Sequence, residues 1–509
     1  MSHHENNKRI VKNTLALYFR QIITMFVALF TSRIILQTLG VTDFGINNVV
    51  GGVVAMFGFI SGTLMSITQR FISVELGKGS PVSVLRKIFS TSMALHILAA
   101  VAVLILAQTV GLWFLNNKLV IPAERMIAAN WVYQFAVFGF VLSLLNAPLM
   151  ALIVSHEDMH IYGYMGIFDV VARLVTVYLL VIVNADKLIF FALFGFAVSC
   201  IVFVFYGIYC RRKYQEAKFS LVWDKALVKE LGGFGGWTLF NSLFSVLRIQ
   251  GINIVLNIFF GPAVNAARGI AFTVETTLSS FSNNFRQAQV PQLMKLYAAK
   301  DTENMWRLAE RGTRIIYFLL LFFSIPIFLE TEFILKFWLG NVPEYATNFT
   351  RLLIIDALTL SIIGNLGAIN NATGKIKVYS IIHYVNSVII LILSYFLCKI
   401  GYAAQYIFAI PILIRPLVFI ILFIMFKMQI NLSIKFFTKK ALIPMFLVST
   451  ISFIPFYFAN KVFLGSYLIS SLIIVASMLW TGIVIITMGL RRAEQINLFV
   501  FVKKKLKFN

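Results

Sequence analysis

Long apolar runs alternate with short polar segments along almost the entire chain. An apolar run of about 20 residues is long enough for an α-helix to cross the hydrocarbon core of a bilayer. The pattern predicts fourteen such spans and no inserted soluble domain. Their approximate limits are 12–38, 44–72, 89–115, 125–155, 160–184, 188–210, 232–260, 264–292, 313–339, 349–374, 376–398, 402–426, 441–459 and 466–490.

Polar positions inside the spans follow helical periodicity, most clearly in span eight. There, Arg268, Glu275, Ser279, Ser282 and Arg286 fall within roughly 40° of one line at about 100° per residue. Packing between helices accounts for small residues and serines in membrane helices, and it stays open as the alternative explanation. It does not require two arginines and a glutamate in register, so the stripe favours a polar cavity.

The order of segments predicts two similar halves. Gly40 lies 38 residues before the basic Lys78, and Gly261 lies 39 residues before Lys300, with matching turns and spans around them. Six spans in each half would relate the halves by a pseudo-two-fold axis along the membrane normal. We therefore expect an all-α integral membrane protein with two six-helix halves and two C-terminal helices. The expected divisions are a lobe at 1–210, a cytoplasmic linker at 211–231, a second lobe at 232–426, and two extra helices with a basic tail at 427–509.

Composition agrees with a membrane protein, because 60% of the 509 residues are hydrophobic and the mean hydropathy is +0.87. Lys and Arg number 44 against 20 Asp and Glu, and this excess collects in alternate loops, which argues against nucleic acid as the reason for it. With the N-terminus inside, the inner segments hold 29 of the 44 and the outer segments 6. The positive-inside rule then places both termini in the cytoplasm.

The remaining basic residues are arginines within the spans, where a charge is costly and usually marks a cargo or ion path. Only three acids share this depth: Asp169, Glu275 and Asp356. The surplus indicates an interior for an anion, and the planar guanidinium fork suits phosphate. The nine intramembrane arginines are Arg20, Arg33, Arg70, Arg173, Arg248, Arg268, Arg286, Arg351 and Arg415.

We expect a subset of these arginines to contact the cargo head group. By depth and facing, the predicted contacts are Arg20, Arg173, Arg248 and Arg286, with Arg70 and Arg268 at the cavity mouth. The alternative is structural pairing. Arg173 can pair with Asp169 one turn earlier, Asp356 can neutralise Arg351, and Glu275 can neutralise Arg268 or Arg286.

The same acids are candidates for coupling transport to H⁺ or Na⁺. In span twelve, Pro411 and Pro416 predict a kink or break beside Arg415. The sequence shows no phosphate-binding Gly-Lys-Ser/Thr loop, no metal-ligand spacing of His or Cys, and no paired acids in a large outer loop. We therefore expect no enzyme activity, no bound cofactor and no metal.

The opening residues, from KNTLALYFRQIITMFVALFTSRIILQTLGVTDFG to the Gly-rich second span ending in QRF, resemble the polysaccharide-exporter branch of the multidrug/oligosaccharidyl-lipid/polysaccharide exporter superfamily. The resemblance implies a flippase in the bacterial cytoplasmic (inner) membrane. Its cargo would be an undecaprenyl-pyrophosphate-linked oligosaccharide, such as an O-antigen, capsule or exopolysaccharide repeat unit. Membrane lipids, and a polysaccharide polymerase and glycosyltransferases of the same pathway, are the implied partners.

Two other classes stay open. A cation-coupled multidrug exporter of the same fold would need an acidic or neutral cavity, and proton-coupled members use an acid in span one, where this chain has Arg20. A membrane-embedded polysaccharide polymerase or transferase would need a sizeable outer loop, and every outer loop here is short.

Overall fold

In the computed structural model, every regular element of the described residues is a helix. The structure describes residues 3–156, 158–182, 184–218, 225–298, 301–373, 376–430, 433–462, 467–492 and 494–496. Ten helices are long and apolar enough to cross a membrane, or eleven if a bent pair counts as one, within this described part. The expectation of an all-α integral membrane protein with about fourteen membrane helices is confirmed, and each predicted span lies on a helix.

The helices follow one another with short connections, as the sequence predicts. Helix α3 is interrupted by a π-helical turn at Ala107–Gly111 and α14 by another at Thr438–Leu442. The bounds are α1 His3–Ala55, α2 Gly58–Gly77, α3 Val82–Leu106 continued by Leu112–Asn117, α4 Met126–Ser155, α5 Met159–Ile182, α6 Lys187–Lys213, α7 Lys225–Phe260, α8 Pro262–Ala298, α9 Thr302–Leu329, α10 Thr331–Leu339, α11 Ala346–Thr373, α12 Ile376–Ile400, α13 Tyr406–Ile430, α14 Ile434–Phe437 continued by Ile443–Val462, and α15 Tyr467–Val484.

Each of the two turns that suggested a repeat consists of a single glycine in the structure. Gly40 interrupts α1 with φ 79° and ψ 171°, and Gly261 separates α7 from α8 with φ 78°. A side chain makes such positive φ values unfavourable, so glycine is the residue that permits the change of helix direction. The predicted turn at 40–43 is thus shorter than expected, but both halves of the proposed repeat contain the same backbone break.

Three spans differ in detail from the prediction. Span two consists of the end of α1 and all of α2, which meet at a bend of 46°. Span nine begins earlier than expected, at Thr302, and is divided between α9 and α10. In span twelve, α13 stays helical through Pro411 and Pro416, so the predicted break is absent. The flanking helices supply enough packing to hold a proline-containing segment helical in such an environment.

The chain divides into two compact units. The first unit comprises Met1–Gly269 and Ser387–Gly401, and the second comprises Ile270–Asn386 and Tyr402–Asn509. In the first unit, one core lies between the end of α1, α3 and α4, around Ile46, Val50 and Tyr133. Tyr133 donates from its hydroxyl to the Ala107 carbonyl in the π-helical turn at 2.8 Å.

An ion cluster ties three segments of the first unit together near Gly40. The Arg125 guanidinium donates to both carboxylate oxygens of Asp43 and to both of Asp186. Burial acts to raise the pKa of Asp186, but hydrogen bonds from Arg125 and from the backbone of Leu188 and Ile189 lower it overall. The cluster thereby fixes the start of α4 and of α6 beside the segment after Gly40.

In the second unit, α9 is the central helix and the segment after α15 is held against it by charges. Arg314, 3% exposed, donates to both oxygens of Glu494, and Arg491 donates to the fully buried Glu310 at 2.5 Å. Arg311 also lies 2.9 Å from Glu494. The sequence predicted this segment as part of a tail on the membrane surface, whereas its first residues are anchored in the protein.

Candidate functional site

The first unit contains a cavity of about 510 Å³ within one helical bundle. Helices α1, α4, α5 and α6 contribute its walls. Its polar lining consists of Thr31, Asn47, Ser143, Arg173, Thr176 and Ser199. Phe135, Phe191 and Phe196 contribute aromatic rings. A mainly apolar wall with a few converging polar groups is the usual composition of a ligand site.

Arg173 is the charged group of this cavity, and the sequence had singled it out as a head-group contact. Its Nε donates to the two carboxylate oxygens of Asp169 at 3.2 and 3.1 Å, which bears out the proposed pairing along α5. The Arg173 side chain is 53% exposed, and within the described residues its terminal nitrogens donate to no protein acceptor. Asp169 therefore orients the guanidinium and leaves the two-pronged end available.

Asparagines and glycines form a close contact between the end of α1, α7 and the start of α8, also within the first unit. Asn253 donates to the Asn48 carbonyl at 3.1 Å, and Asn265 donates to the Asn253 side chain at 2.6 Å. A Cβ added at Gly45 would lie 1.8 Å from the Pro262 carbonyl oxygen. Only glycine allows this approach, and the sequence analysis, which concentrated on charges, did not identify the asparagines.

Arg286 belongs to the second unit, where it packs against a glycine of α11. A Cβ at Gly364 would lie 2.4 Å from the Arg286 guanidinium. The Arg286 Nε is buried and donates to no acceptor among the described residues. No acid within this described part forms an ion pair with Arg286. The Tyr379 ring lies nearby, and its centroid is 4.4 Å from that of the His383 ring. The guanidinium thus remains available to a negative group.

Asp356 has a different partner from the one predicted. It forms an ion pair with Arg415 of α13, both side chains being largely buried. Arg351 instead donates from Nε to the Phe328 carbonyl at 3.2 Å and lies over the Phe328 ring. Arg415 and Asp356 therefore compensate each other inside the second unit, where either charge buried alone would be strongly destabilising.

The other predicted site residues have varied surroundings. Arg268 is 8% exposed and donates to the Ile249 carbonyl at 2.7 Å, and Glu275 accepts a hydrogen bond from Ser279 at 2.8 Å. Arg70 is exposed and Arg248 is half-buried. The Arg20 side chain lies outside the described residues. Arg173 belongs to the first unit and Arg286 to the second, so each is described within its own unit.

The structure also bears on metal binding and on one charged residue, Arg314, that the sequence reasoning missed. No group of His, Cys, Asp or Glu that could hold a metal ion is found in the described ranges. The buried Arg314 was counted with the inner segments, although it is the second residue of the predicted span 313–339. Its signal was the i, i+4 spacing of Glu310 and Arg314, which places both on one face of α9.

Comparisons with known proteins agree with this fold. No family model matches the chain. The uncharacterized membrane protein EpsK of Bacillus subtilis (strain 168) is 22% identical over 341 residues, which cover 66% of each chain. The lipid II flippase MurJ in an inward closed conformation superposes with a TM-score of 0.63 at 14% identity, covering 93% of this chain and 98% of MurJ. An inward-facing multidrug resistance MATE transporter of the MOP superfamily also gives 0.63 at 12% identity, covering 82% of this chain and 98% of that one.

These solved structures share the fold of this chain, a bundle of membrane-crossing helices. The chain has the fold of the MOP superfamily, that is, the multidrug/oligosaccharidyl-lipid/polysaccharide exporter superfamily named from the sequence.

Proposed function

We propose that the protein is a flippase that moves a polyprenyl-pyrophosphate-linked oligosaccharide from the cytoplasmic to the periplasmic leaflet by alternating access. The observation that carries the proposal is the guanidinium of Arg286 on α8, within the predicted span eight, which has no acidic partner in the described part of the chain. An uncompensated cation at this depth is costly unless an anion occupies the site for part of the cycle. A pyrophosphate supplies that anion, and a guanidinium can bind it through two parallel hydrogen bonds.

A MATE-like multidrug exporter would have the same fold, so the charges within the membrane segments must distinguish between the two functions. A cationic drug needs an available carboxylate, and two of the three membrane carboxylates, Asp169 and Asp356, are engaged by arginines. Their pairing favours an anionic cargo over a cationic one. The similarity in fold to the lipid II flippase MurJ supports a lipid-linked cargo. The proposal places the protein in the bacterial inner membrane with both termini in the cytoplasm, as the distribution of Lys and Arg predicts.

A vesicle assay tests the proposal directly. The purified protein is reconstituted with a fluorescent polyprenyl-pyrophosphate oligosaccharide, and the fraction protected from an external quencher is followed with time. Arg286→Ala is expected to lower the initial rate by roughly tenfold or more, because charge-assisted hydrogen bonds to the pyrophosphate are lost. Arg212→Ala, an exposed arginine at the end of α6, serves as the matched control with an unaltered rate.

Two results would contradict the flippase. One is movement of the lipid-linked cargo no faster than in protein-free vesicles. The other is uptake of an apolar cation that Arg286→Ala leaves unchanged, which would support the multidrug exporter. Normal insertion of each variant is established by size-exclusion chromatography of the purified protein.

Coupling of transport to an ion gradient belongs to the same proposal, with Glu275, Asp356 and Asp169 as the candidate carboxylates. Glu275 accepts a hydrogen bond from the Ser279 hydroxyl, and Asp169 and Asp356 are bound to guanidinium groups. A Glu275→Gln variant is expected to transport at a rate that no longer responds to an imposed H⁺ or Na⁺ gradient. A response equal to that of the unchanged protein would remove Glu275 from the coupling step.

A further inference from the structure

The cavity of the first unit opens away from lipid, as the helical phase of α5 shows. The exposed large apolar side chains of α5 are Tyr164, Phe168, Val171, Val175, Tyr178, Leu179, Val181 and Ile182. At about 100° per residue all of them except Val181, near the end of the helix, lie within roughly 60° of one line, and Arg173 lies about 180° from that line. The exposed half of the Arg173 side chain therefore faces the interior of the bundle. Its exposure belongs to the cavity and not to the lipid surface.

The polar groups around Arg173 offer both donors and acceptors. Thr176 and Ser199 donate their hydroxyl protons to carbonyls of their own helices, Ala172 at 2.9 Å and Gly195 at 3.0 Å. Their oxygen lone pairs remain as acceptors toward the cavity. Asn47 lines the same cavity, and the buried Thr31 Oγ1 has no hydrogen-bond partner in the described residues. A ligand that both donates and accepts, as a polyhydroxylated ring does, would satisfy this set.

The apolar part of the wall is aromatic. The rings of Phe135 and Phe196 lie with centroids 6.0 Å apart and planes inclined by 30°, and the Trp131 ring stacks on Phe135 at 5.7 Å. The negative face of an aromatic ring attracts polarised C–H groups, such as those on the flat face of a pyranose. A volume of about 510 Å³ is larger than a phosphate group needs and lies in the range of small organic ligands. A hydrocarbon tail would leave the polar side chains without partners.

We propose that this cavity is a sugar subsite that selects a carboxylate-bearing monosaccharide of the cargo, with the two terminal nitrogens of Arg173 binding the sugar carboxylate. This inference rests on the proposed flippase function and names the part of the cargo that the cavity takes. Asp169 is a positioning residue, because its bond to Nε fixes the plane of the guanidinium. Thr176 and Ser199 accept hydrogen bonds from the hydroxyls of the sugar, the Asn47 amide can donate to or accept from them, and the phenylalanines cover the apolar face of the sugar ring.

The test uses two lipid-linked oligosaccharides that differ in one group. Both carry the same polyprenyl-pyrophosphate, and one sugar is a hexuronate in the first and the corresponding neutral hexose in the second. The measured quantity is the ratio of their initial transport rates in vesicles. The unchanged protein is expected to prefer the hexuronate cargo, and Arg173→Gln is expected to reduce that preference by roughly tenfold, since a charge-assisted pair is lost.

Arg173→Lys keeps the charge but not the fork, so an intermediate preference is expected, and this milder variant replaces Arg173→Gln if the latter does not insert. Arg307→Gln, on an exposed part of α9, is the control that removes an arginine elsewhere.

Each pattern of results has one meaning. A preference that both Arg173 variants retain in full overturns the subsite while the flippase stands. An equal loss of both cargoes in these variants also overturns it, because Arg173 would then bind the shared pyrophosphate. If the unchanged protein moves neither cargo, the proposed function fails, and the subsite fails with it.

Discussion

At the scale of the residue, the arginines within the membrane segments divide by partner. Arg415 is neutralised by Asp356, and Arg351 and Arg268 donate to backbone carbonyls, which are structural roles. Arg173 and Arg286 keep guanidinium nitrogens that donate to no protein acceptor in the described part of the chain. The sequence identified the charges but could not sort them. Sorting depends on contacts between helices that are far apart in the chain, as for Asp356 and Arg415.

Gly364 provides a test of Arg286 that leaves the arginine itself in place. In Gly364→Ala, the added Cβ would meet the guanidinium at 2.4 Å, so the flexible end of Arg286 must move. Alanine is favoured over glycine in a helix by roughly 0.5–1 kcal/mol, so the thermal stability should not fall. We expect the rate of cargo movement in vesicles to fall severalfold.

Gly207→Ala is the matched control, because a Cβ there would meet nothing within 4 Å. If Gly364→Ala transports as fast as this control, the position of the Arg286 guanidinium does not matter for transport.

At the scale of the element, apolar length determined the helices, and glycine determined where they break. Each span predicted from hydropathy coincides with a helix, since burial in hydrocarbon forces the backbone to satisfy its own hydrogen bonds. The ends were less well predicted, as α9 begins at Thr302 and α13 passes through two prolines. Those outcomes depend on tertiary packing, which hydropathy does not report. The sequence also did not predict the polar cavity of the first unit, because its walls come from four helices that are brought together only in the folded protein.

The break at Gly40 should be sensitive to any side chain. Its φ of 79° and ψ of 171° lie in a region that is nearly restricted to glycine, although a Cβ would meet no atom within 4 Å. Gly40→Ala is therefore expected to lower the free energy of unfolding by roughly 1–3 kcal/mol through backbone strain alone. The midpoint of thermal unfolding in detergent measures the effect.

Gly62→Ala supplies the comparison, because Gly62 lies within helix α2 with open space around it. Equal melting points for the two variants would show that the break at Gly40 adapts to a side chain without cost.

At the scale of the whole molecule, the all-helical membrane fold follows from the sequence, whereas the identity of a cargo does not. The shared fold with MATE transporters and with MurJ allows either a drug or a lipid-linked cargo. Hydropathy alone specifies a membrane bundle, and it contains no information about what the bundle carries. The buried charges of the second unit contribute to holding the end of the chain in place, and they are independent of the cargo.

The ion pairs that Arg314 forms with Glu494 and Glu310 allow a prediction about stability, and a second ion pair on α9 supplies the control. Glu494→Gln leaves the buried Arg314 with one remaining carboxylate, Glu310, at 3.8 Å. Removing one partner of a buried ion pair costs roughly 3–5 kcal/mol. Glu303→Gln, which breaks an exposed pair with Arg307 on the same helix, should cost less than about 1 kcal/mol. Thermal unfolding of the two variants side by side measures the difference, and similar shifts would mean that the network contributes little.

The position of Glu494 also limits how the gene can be shortened. A stop codon ahead of it would remove both oxygens that Arg314 binds, and one placed before Arg491 would also take the guanidinium from Glu310. Purification tags and fluorescent fusions should therefore be joined on the C-terminal side of Glu494, so that Arg491 and Glu494 stay in the chain.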